Sequence, residues 1–384
     1  MIFASDNWAG ASETILSAAV LAAQRGGPAY GDDPHTGALQ RRFTEVFERE
    51  VAVFLVGSGT AANSLALSAY ARPGGIVFTH EHAHVLQNEA GATEFFGGGA
   101  RVVGLAGSSG KITPEALDTA IRRYSSGNVH HGIPFAVSLT QANELGIVYP
   151  LAEISSVAAV AHRHELIVHL DGARFAGAIA SLGCTPAEAS WRAGVDVMSF
   201  GGTKNGCLLA EAVIFFDPTH AADFGFRRQR AGHGFSKNWF IAAQFEAYLE
   251  GGHWLDLARL ANQRARRLAD AIRGSSQARL AATPDTNLVF AILAKPLHER
   301  LRAAGAVYHL WPPATLPTAD QPTEQEVLAR LVTSFQTTDE EIDRFAKLLA
   351  SALAPRGQKV IANRSSFPKP QNTTEKLGTE KSSG

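Results

Sequence analysis

From about residue 50 to about residue 220, short apolar runs alternate with amphipathic stretches. Ala52–Val56, Ile76–Thr79, Arg101–Leu105, Pro134–Leu139, Leu166–Leu170, Val195–Phe200 and Ala212–Phe216 read as strands. Several are apolar almost throughout, as strands buried on both faces are. Between them, stretches such as Leu151–His164 carry a helical period. Thr113-Pro114-Glu115 reads as a helix start, with Thr as cap and Pro in the first position. The alternation predicts an α/β fold: a mostly parallel central sheet with helices on both faces.

The texture changes after about residue 235. Trp254–Arg273 is one long helical pattern. A strand (Asn287–Leu293), a helix (Leu297–Ala304) and two more strands (Val307–Leu310, Val327–Phe335) follow it. A last helix, from Thr338 to about Leu353, opens on a capping box of Thr338 and Glu341. The expected division is an N-terminal segment at 1–12, a large domain at 13–240, a smaller α+β domain at 241–355 and a disordered tail at 356–384.

Composition narrows the function classes. Hydrophobic residues make up 45% of the 384 and charged residues 18%, enough for a large buried core. Lys+Arg number 35 against 36 Asp+Glu, so no basic excess points to nucleic acid or an anionic membrane. The run Arg227-Arg228-Gln229-Arg230 is local and reads as a solvated face or a subunit contact. Two isolated cysteines, Cys184 and Cys207, give neither a disulfide framework nor metal-ligand spacing. With no leader pattern and no run long enough to span a bilayer, a reducing cytoplasm is the expected location.

Four local motifs carry chemistry. Ser199-Phe200-Gly201-Gly202-Thr203-Lys204-Asn205-Gly206 follows an apolar strand, so Lys204 sits on a tight turn at a strand end, where open α/β sheets bind ligands. By composition alone it is a surface-loop lysine. Leu170-Asp171-Gly172-Ala173-Arg174 changes that reading, because an acid at the tip of a buried strand is costly unless paired. A protonated pyridine nitrogen is such a partner, which points to pyridoxal 5′-phosphate. Lys204 lies 33 residues beyond Asp171, one strand–helix–strand traverse, so both can reach one crevice. The plainer use of Asp171 is a helix cap.

Gly57-Ser58-Gly59-Thr60-Ala61-Ala62-Asn63 opens a helix after a strand, and free N–H groups there suit a phosphate. Gly59, Thr60 and Ala61 are the candidates. A dinucleotide site is the competing use, but position 62 is Ala where that fingerprint needs Gly. His80-Glu81-His82-Ala83-His84 invites a metal reading; turn histidines with no role are the plain alternative.

In this order, together with Ser5-Asp6-Asn7, Ala29-Tyr30-Gly31-Asp32-Asp33 and Arg330-Leu331-Val332-Thr333, these motifs resemble the pyridoxal-phosphate-dependent L-threonine aldolases, within the β-eliminating lyase group. The resemblance runs from Ser5 to about residue 345. It implies the aspartate aminotransferase-like fold (fold type I), a cofactor carried covalently on Lys204, Asp171 at the pyridine nitrogen and His84 stacked on the ring. It implies Arg174 and Arg330 at the substrate carboxylate or cofactor oxygen, and Ser5 as a further carboxylate contact. It also implies a dimer or tetramer with shared sites, in which Tyr30 and its loop reach the neighbouring subunit. Two departures stand out. Glu144 occupies the region where some members have a second histidine. Where others use an arginine for the phosphate, Ser236 and Lys237 are the candidates here.

The expected reaction is retro-aldol cleavage of β-hydroxy-α-amino acids such as L-threonine, L-allo-threonine and phenylserine to glycine and an aldehyde. His84, or a water it orders, is the candidate base, ahead of Glu89 and Glu144, and no metal is expected. The alternatives are β-elimination or transamination on the same scaffold, and a cofactor-binding regulator without turnover.

Overall fold

All seven strands of the first region form. The computed structural model describes residues 1–124, 127–316 and 318–351, and Met1–Ser351 is one compact unit. The strands are β1 (Ala52–Val56), β2 (Gly75–His80), β3 (Arg101–Leu105), β4 (Ile133–Thr140), β5 (Ile167–Gly172), β6 (Val197–Gly201) and β7 (Glu211–Phe215), in the order β1-β7-β6-β5-β4-β2-β3. β3, β2, β4, β5 and β6 pair in parallel. β7 is antiparallel to both its neighbours, β6 and β1. The link from Gly202 to Ala210 is too short for the crossover that a parallel return needs, so the chain turns back on itself.

The second region supplies a separate antiparallel sheet of β8 (Ala278–Leu280), β9 (Leu288–Ala294), β10 (His309–Leu310) and β11 (Glu326–Val332), ordered β10-β11-β9-β8. Two expected strands are shorter than their apolar runs. Val307 is taken by the N-terminus: its N–H donates to the Met1 carbonyl at 2.9 Å, and its carbonyl accepts from the Phe3 N–H at 2.8 Å. β11 stops at Val332 because Thr333 turns its hydroxyl to the Ala261 carbonyl (2.8 Å), and the Ser334 N–H is taken by Thr337 Oγ1 (2.9 Å).

Two α-helices ahead of β1 have no counterpart among the expected elements. They are α1 (Glu13–Arg25), capped by Ser12, and α2 (Pro34–Val46), capped by Asp33 with Pro in its first turn. α3 (Gly59–Ser68) is capped by the Ser58 hydroxyl, and its residues from Ala61 to Ser68 are all buried, which small Ala and Ser side chains permit. α4 (His84–Gln87) is a single turn after β2. The long helix is His253–Arg273, and the capping box of Thr338 and Glu341 starts Asp339–Ala350 as expected. The expected disordered tail at 356–384 lies outside the described residues.

Packing fixes the strand that matters most. Phe200 on β6 lies edge-on to Phe43 of α2, with ring centroids 5.2 Å apart, and 5.5 Å from Trp254. Burying such a ring stabilises by about 1.5–3 kcal/mol. This aromatic cluster holds the end of β6 just before the Lys204 turn. The N-terminal segment is tied down too. Phe3 is buried edge-on to Phe345 at 5.3 Å and accepts from the Val332 N–H. That anchor sets where Asp6 falls.

Candidate active site

The C-terminal ends of β4, β5 and β6 place Thr140, Asp171 and the Lys204 turn at one edge of the sheet. Asp171 is in register with Thr140 and Ser199. Its carboxylate is held on both oxygens: Asn63 Nδ2 donates to Oδ2 at 2.9 Å and the Ala173 N–H to Oδ1 at 3.0 Å. Asn63, projecting from α3, also donates to Glu89 Oε1 at 2.8 Å, and the same oxygen meets His84 Nδ1 at 2.8 Å. A continuous chain thus runs from His84 through Glu89 and Asn63 to Asp171. Burial pushes the Glu89 carboxyl up, while its hydrogen bond with His84 pulls it down. Among the described residues, Glu89 Oε2 and Asn63 Oδ1 are buried without a partner.

Beneath Asp171, on the same strand, His169 is fully buried between two hydroxyls, Ser138 Oγ at 2.8 Å and Ser199 Oγ at 3.1 Å. Burial pushes this imidazole down to about 4, so it is neutral. Glu144 closes the far side by accepting the His84 backbone N–H at 2.7 Å, and burial pushes its carboxyl up.

Lys204 rides on the turn Thr203–Asn205, which is tied down by Asn205 Nδ2 donating to Tyr248 Oη and to the Trp254 carbonyl, each at 2.8 Å. Among the described residues no hydrogen bond or ion pair holds its ammonium. Burial pushes that ammonium below its ordinary value and Arg174 adds to this, while Asp6, Asp171 and Glu211 oppose it. Lys204, Arg174 and Ala173 line two adjoining clefts. One also contains Gly59, Asn63, His84, Glu89, Glu144 and Asp171; the other contains Asp6, Asn205, Asn287 and Phe335.

The two candidate arginines differ. Arg174 donates from Nε to Asp6 Oδ2 at 2.7 Å and from Nη2 to Oδ1 at 2.9 Å, a bidentate pair. Burial alone would push Asp6 up, but Arg174 and its hydrogen bonds hold the carboxyl down to about 2. Asn287 Nδ2 adds a third bond to Asp6 at 3.1 Å. Arg330, on β11, has no carboxylate partner among the described residues, and its Nε is buried and unpaired. Its guanidinium lies over the Trp311 ring at 5.1 Å. Burial, followed by repulsion from Arg174, pushes it down to about 10.

Other sequence candidates lie farther out. At the start of α3, the Ala61 N–H is spent on the Ser58 hydroxyl, while the N–H groups of Gly59 and Thr60 have no partner among the described residues. The Ser5 hydroxyl accepts from the Asn7 N–H and borders a separate groove. Ser236 and Lys237 are exposed and line neither cleft, but they follow a segment that covers the α3 turn. In that segment His233 Nδ1 accepts the Gly57 N–H at 3.1 Å, and a Cβ on Gly57 would meet Phe235 at 3.1 Å. Tyr30 is 61% exposed, and its N–H donates to the Ser236 carbonyl. Sequence reasoning did not single out Asp6, the anchor of Arg174, although it lies in a quoted motif. It also missed Asn63 as the link between carboxylates, and Glu211.

The donor set fits pyridoxal phosphate. One crevice holds a lysine of lowered basicity, a fixed carboxylate for a pyridine nitrogen, an imidazole beside it and a helix start with free N–H groups. The unpaired Arg330 nitrogen, within electrostatic reach of Arg174, suits an incoming carboxylate.

The β-eliminating lyase family matches residues 3–296. The low-specificity L-threonine aldolase of Pseudomonas aeruginosa is 41% identical over 304 residues, covering 79% of this chain and 87% of that protein. Among solved structures, the Leishmania major threonine aldolase superposes with a TM-score of 0.84 at 26% identity, over 91% of this chain and 98% of that one. A structure of SPT with pyridoxal phosphate shares the fold, with a TM-score of 0.65 at 17% identity, over 91% of this chain and 86% of that one.

Proposed function

The chain belongs to the β-eliminating lyase family, and from that premise we propose that it is a low-specificity L-threonine aldolase. Its reaction is the cleavage of L-threonine, L-allo-threonine and related β-hydroxy-α-amino acids to glycine and an aldehyde. The observation that carries the reading is the hydrogen-bonded chain from His84 to Asp171, facing Lys204 across one cleft.

Pyridoxal phosphate, bound covalently at Lys204, supplies the sink for the electron pair released when the Cα–Cβ bond breaks. Asp171, fixed by Asn63 and the Ala173 N–H, keeps its negative charge turned to the pyridine nitrogen. The free N–H groups of Gly59 and Thr60 at the start of α3 would receive the phosphate, with the small side chain of Ala61 leaving it room. His84 would stack on the ring. With Nδ1 tied to Glu89, its Nε2 is the atom left to take the β-hydroxyl proton, directly or through a water. Arg330 grips the substrate carboxylate, and Arg174, oriented by Asp6, completes that end. Glu144 borders the hydroxyl side, where a partner reached through water discriminates weakly between the two β-configurations.

Tyr30 and its loop reach a neighbouring subunit's site in a homo-oligomer, a dimer or a dimer of dimers, and Ser236 and Lys237 beside it are the candidates for the phosphate. Their exposure supports this, as does the exposed apolar face of α1 at Leu16 and Val20. Ser5, whose groove meets the Arg174 cleft at Ser334, is the candidate for a further contact at the substrate carboxylate, and the cytoplasm is the proposed location. The test is product analysis with each diastereomer of L-threonine. Equimolar glycine and acetaldehyde from both, with kcat/KM values within about a thousandfold, is the expected result. A keto acid with ammonia would assign the chain to elimination instead.

A further inference from the structure

Glu211 is a buried carboxylate at the head of an otherwise apolar strand, β7. It stands in register with Gly201 on β6 and Val56 on β1. Side chains alternate along a strand, and residues in register share a face. Asp171 is opposite Ser199, and Gly201 is two residues beyond Ser199, so Glu211 shares the sheet face that carries Asp171. Thr203, which directly precedes Lys204, lies against this carboxylate and holds it down against the upward push of burial. The Thr203 hydroxyl accepts the Ala210 N–H at 3.2 Å. Glu211 thus grips the turn that presents the lysine.

Turn geometry alone does not call for a charge here. A neutral amide could meet Thr203 at a smaller desolvation cost. The titratable groups facing Glu211 are Lys204 from the turn, Asp171 from β5, Cys207 from the β6–β7 link and Tyr248 from the helix Asn238–Leu249. Among these only Lys204 can be positive. Lys204 also feels Arg174, which disfavours its ammonium, and Asp6, which favours it.

We propose that Glu211 is a positioning residue for Lys204, fixing its turn through Thr203 and supplying the negative charge that keeps the lysine nitrogen protonated. The inference rests on Lys204 being the cofactor lysine. It accounts for a buried acid that the cleavage reaction itself does not use. Burial pushes the Glu211 carboxyl up to about 7 while Thr203 and Lys204 pull it down, so the pair responds to pH near neutrality.

The test is a pH titration of the absorbance of the lysine-bound cofactor in holoenzyme, for wild type, Glu211→Gln and Glu211→Asp, with melting curves to establish folding. Removing the charge disfavours the protonated nitrogen, so the Glu211→Gln midpoint moves down by about one pH unit. Glu211→Asp, with its carboxylate drawn back by one methylene, moves in the same direction by less. If Glu211→Gln does not fold, Glu211→Asp is read on its own. An unmoved midpoint in a folded variant overturns the proposal, as does an upward shift. A wild type with no lysine-bound cofactor band would instead overturn the assignment of Lys204, a separate failure.

Discussion

Asp171, a buried charge, and Arg330, a half-buried one that lines neither cleft, come from different sheets and are treated in opposite ways. Asp171 arrives with partners on both oxygens, and the chain behind it reaches through Asn63 and Glu89 to His84. His169 below is satisfied on both ring nitrogens. Arg330 arrives with a stacking ring and an unpaired Nε, and Lys204 with no hydrogen bond among the described residues. Buried polar groups are costly when unpaired. The satisfied groups form a floor that stays put, and the open ones mark where ligand atoms complete the bonding. Arg174 lies between: its bidentate partner Asp6 is already in place, so it orients more than it captures.

The largest effect should come from the open side. Lys204→Ala removes the only covalent anchor the reading allows, so glycine release from L-threonine falls by more than about a thousandfold. Retention of more than about a tenth of the rate would place the anchor elsewhere.

The floor should announce itself in stability rather than turnover. His169 has a folded value of about 4, below its ordinary 6.5. The unfolded chain therefore binds a proton that the folded one refuses. Its contribution is complete above pH 6.5 and is lost as pH falls towards 4, by a few kcal/mol at most. Glu211 acts with the opposite sign, so the quantity to read is wild type minus His169→Gln, from urea unfolding at several pH values. That difference should shrink as pH drops from 7 to 5; a constant difference would mean that His169 does not titrate as described.

Arg330→Ala should raise KM for amino acids by roughly ten- to a hundredfold, the value of a charge-assisted hydrogen bond pair, with cofactor content unchanged. Lysine at that position should restore little, because it lacks the planar fork. Loss of cofactor or fold with no selective KM effect would make Arg330 a floor residue. Asp171→Asn should keep the cofactor but slow turnover by about tenfold for each pKa unit of ring stabilisation lost. An unchanged kcat would remove Asp171 from the chemistry.

How much of this could be read from the chain follows from the range of each interaction. Ala52–Val56 and Arg101–Leu105 form as read, because apolar runs bounded by turns are local signals. The capping box at Thr338 was legible for the same reason. The reversal of β7 was present in the shortness of its link, which the expectation of a mostly parallel sheet did not weigh. Glu211 lies just outside the apolar run that starts at Ala212, because strand patterns are apolar and a buried acid sits at the head of this one. Asp6 and Arg174 are 168 residues apart in the chain, so nothing local could pair them. The same holds for Asn63, whose two carboxylate partners come from the segment after β2 and from β5.

Lys204, facing a pre-wired Asp171, is the proposed cofactor lysine. The direct test is borohydride reduction of the holoenzyme followed by peptide mapping. The expected result is pyridoxyl label on the peptide containing Lys204 and on no other lysine. Label at a different lysine, or none in protein that cleaves L-threonine, would contradict it.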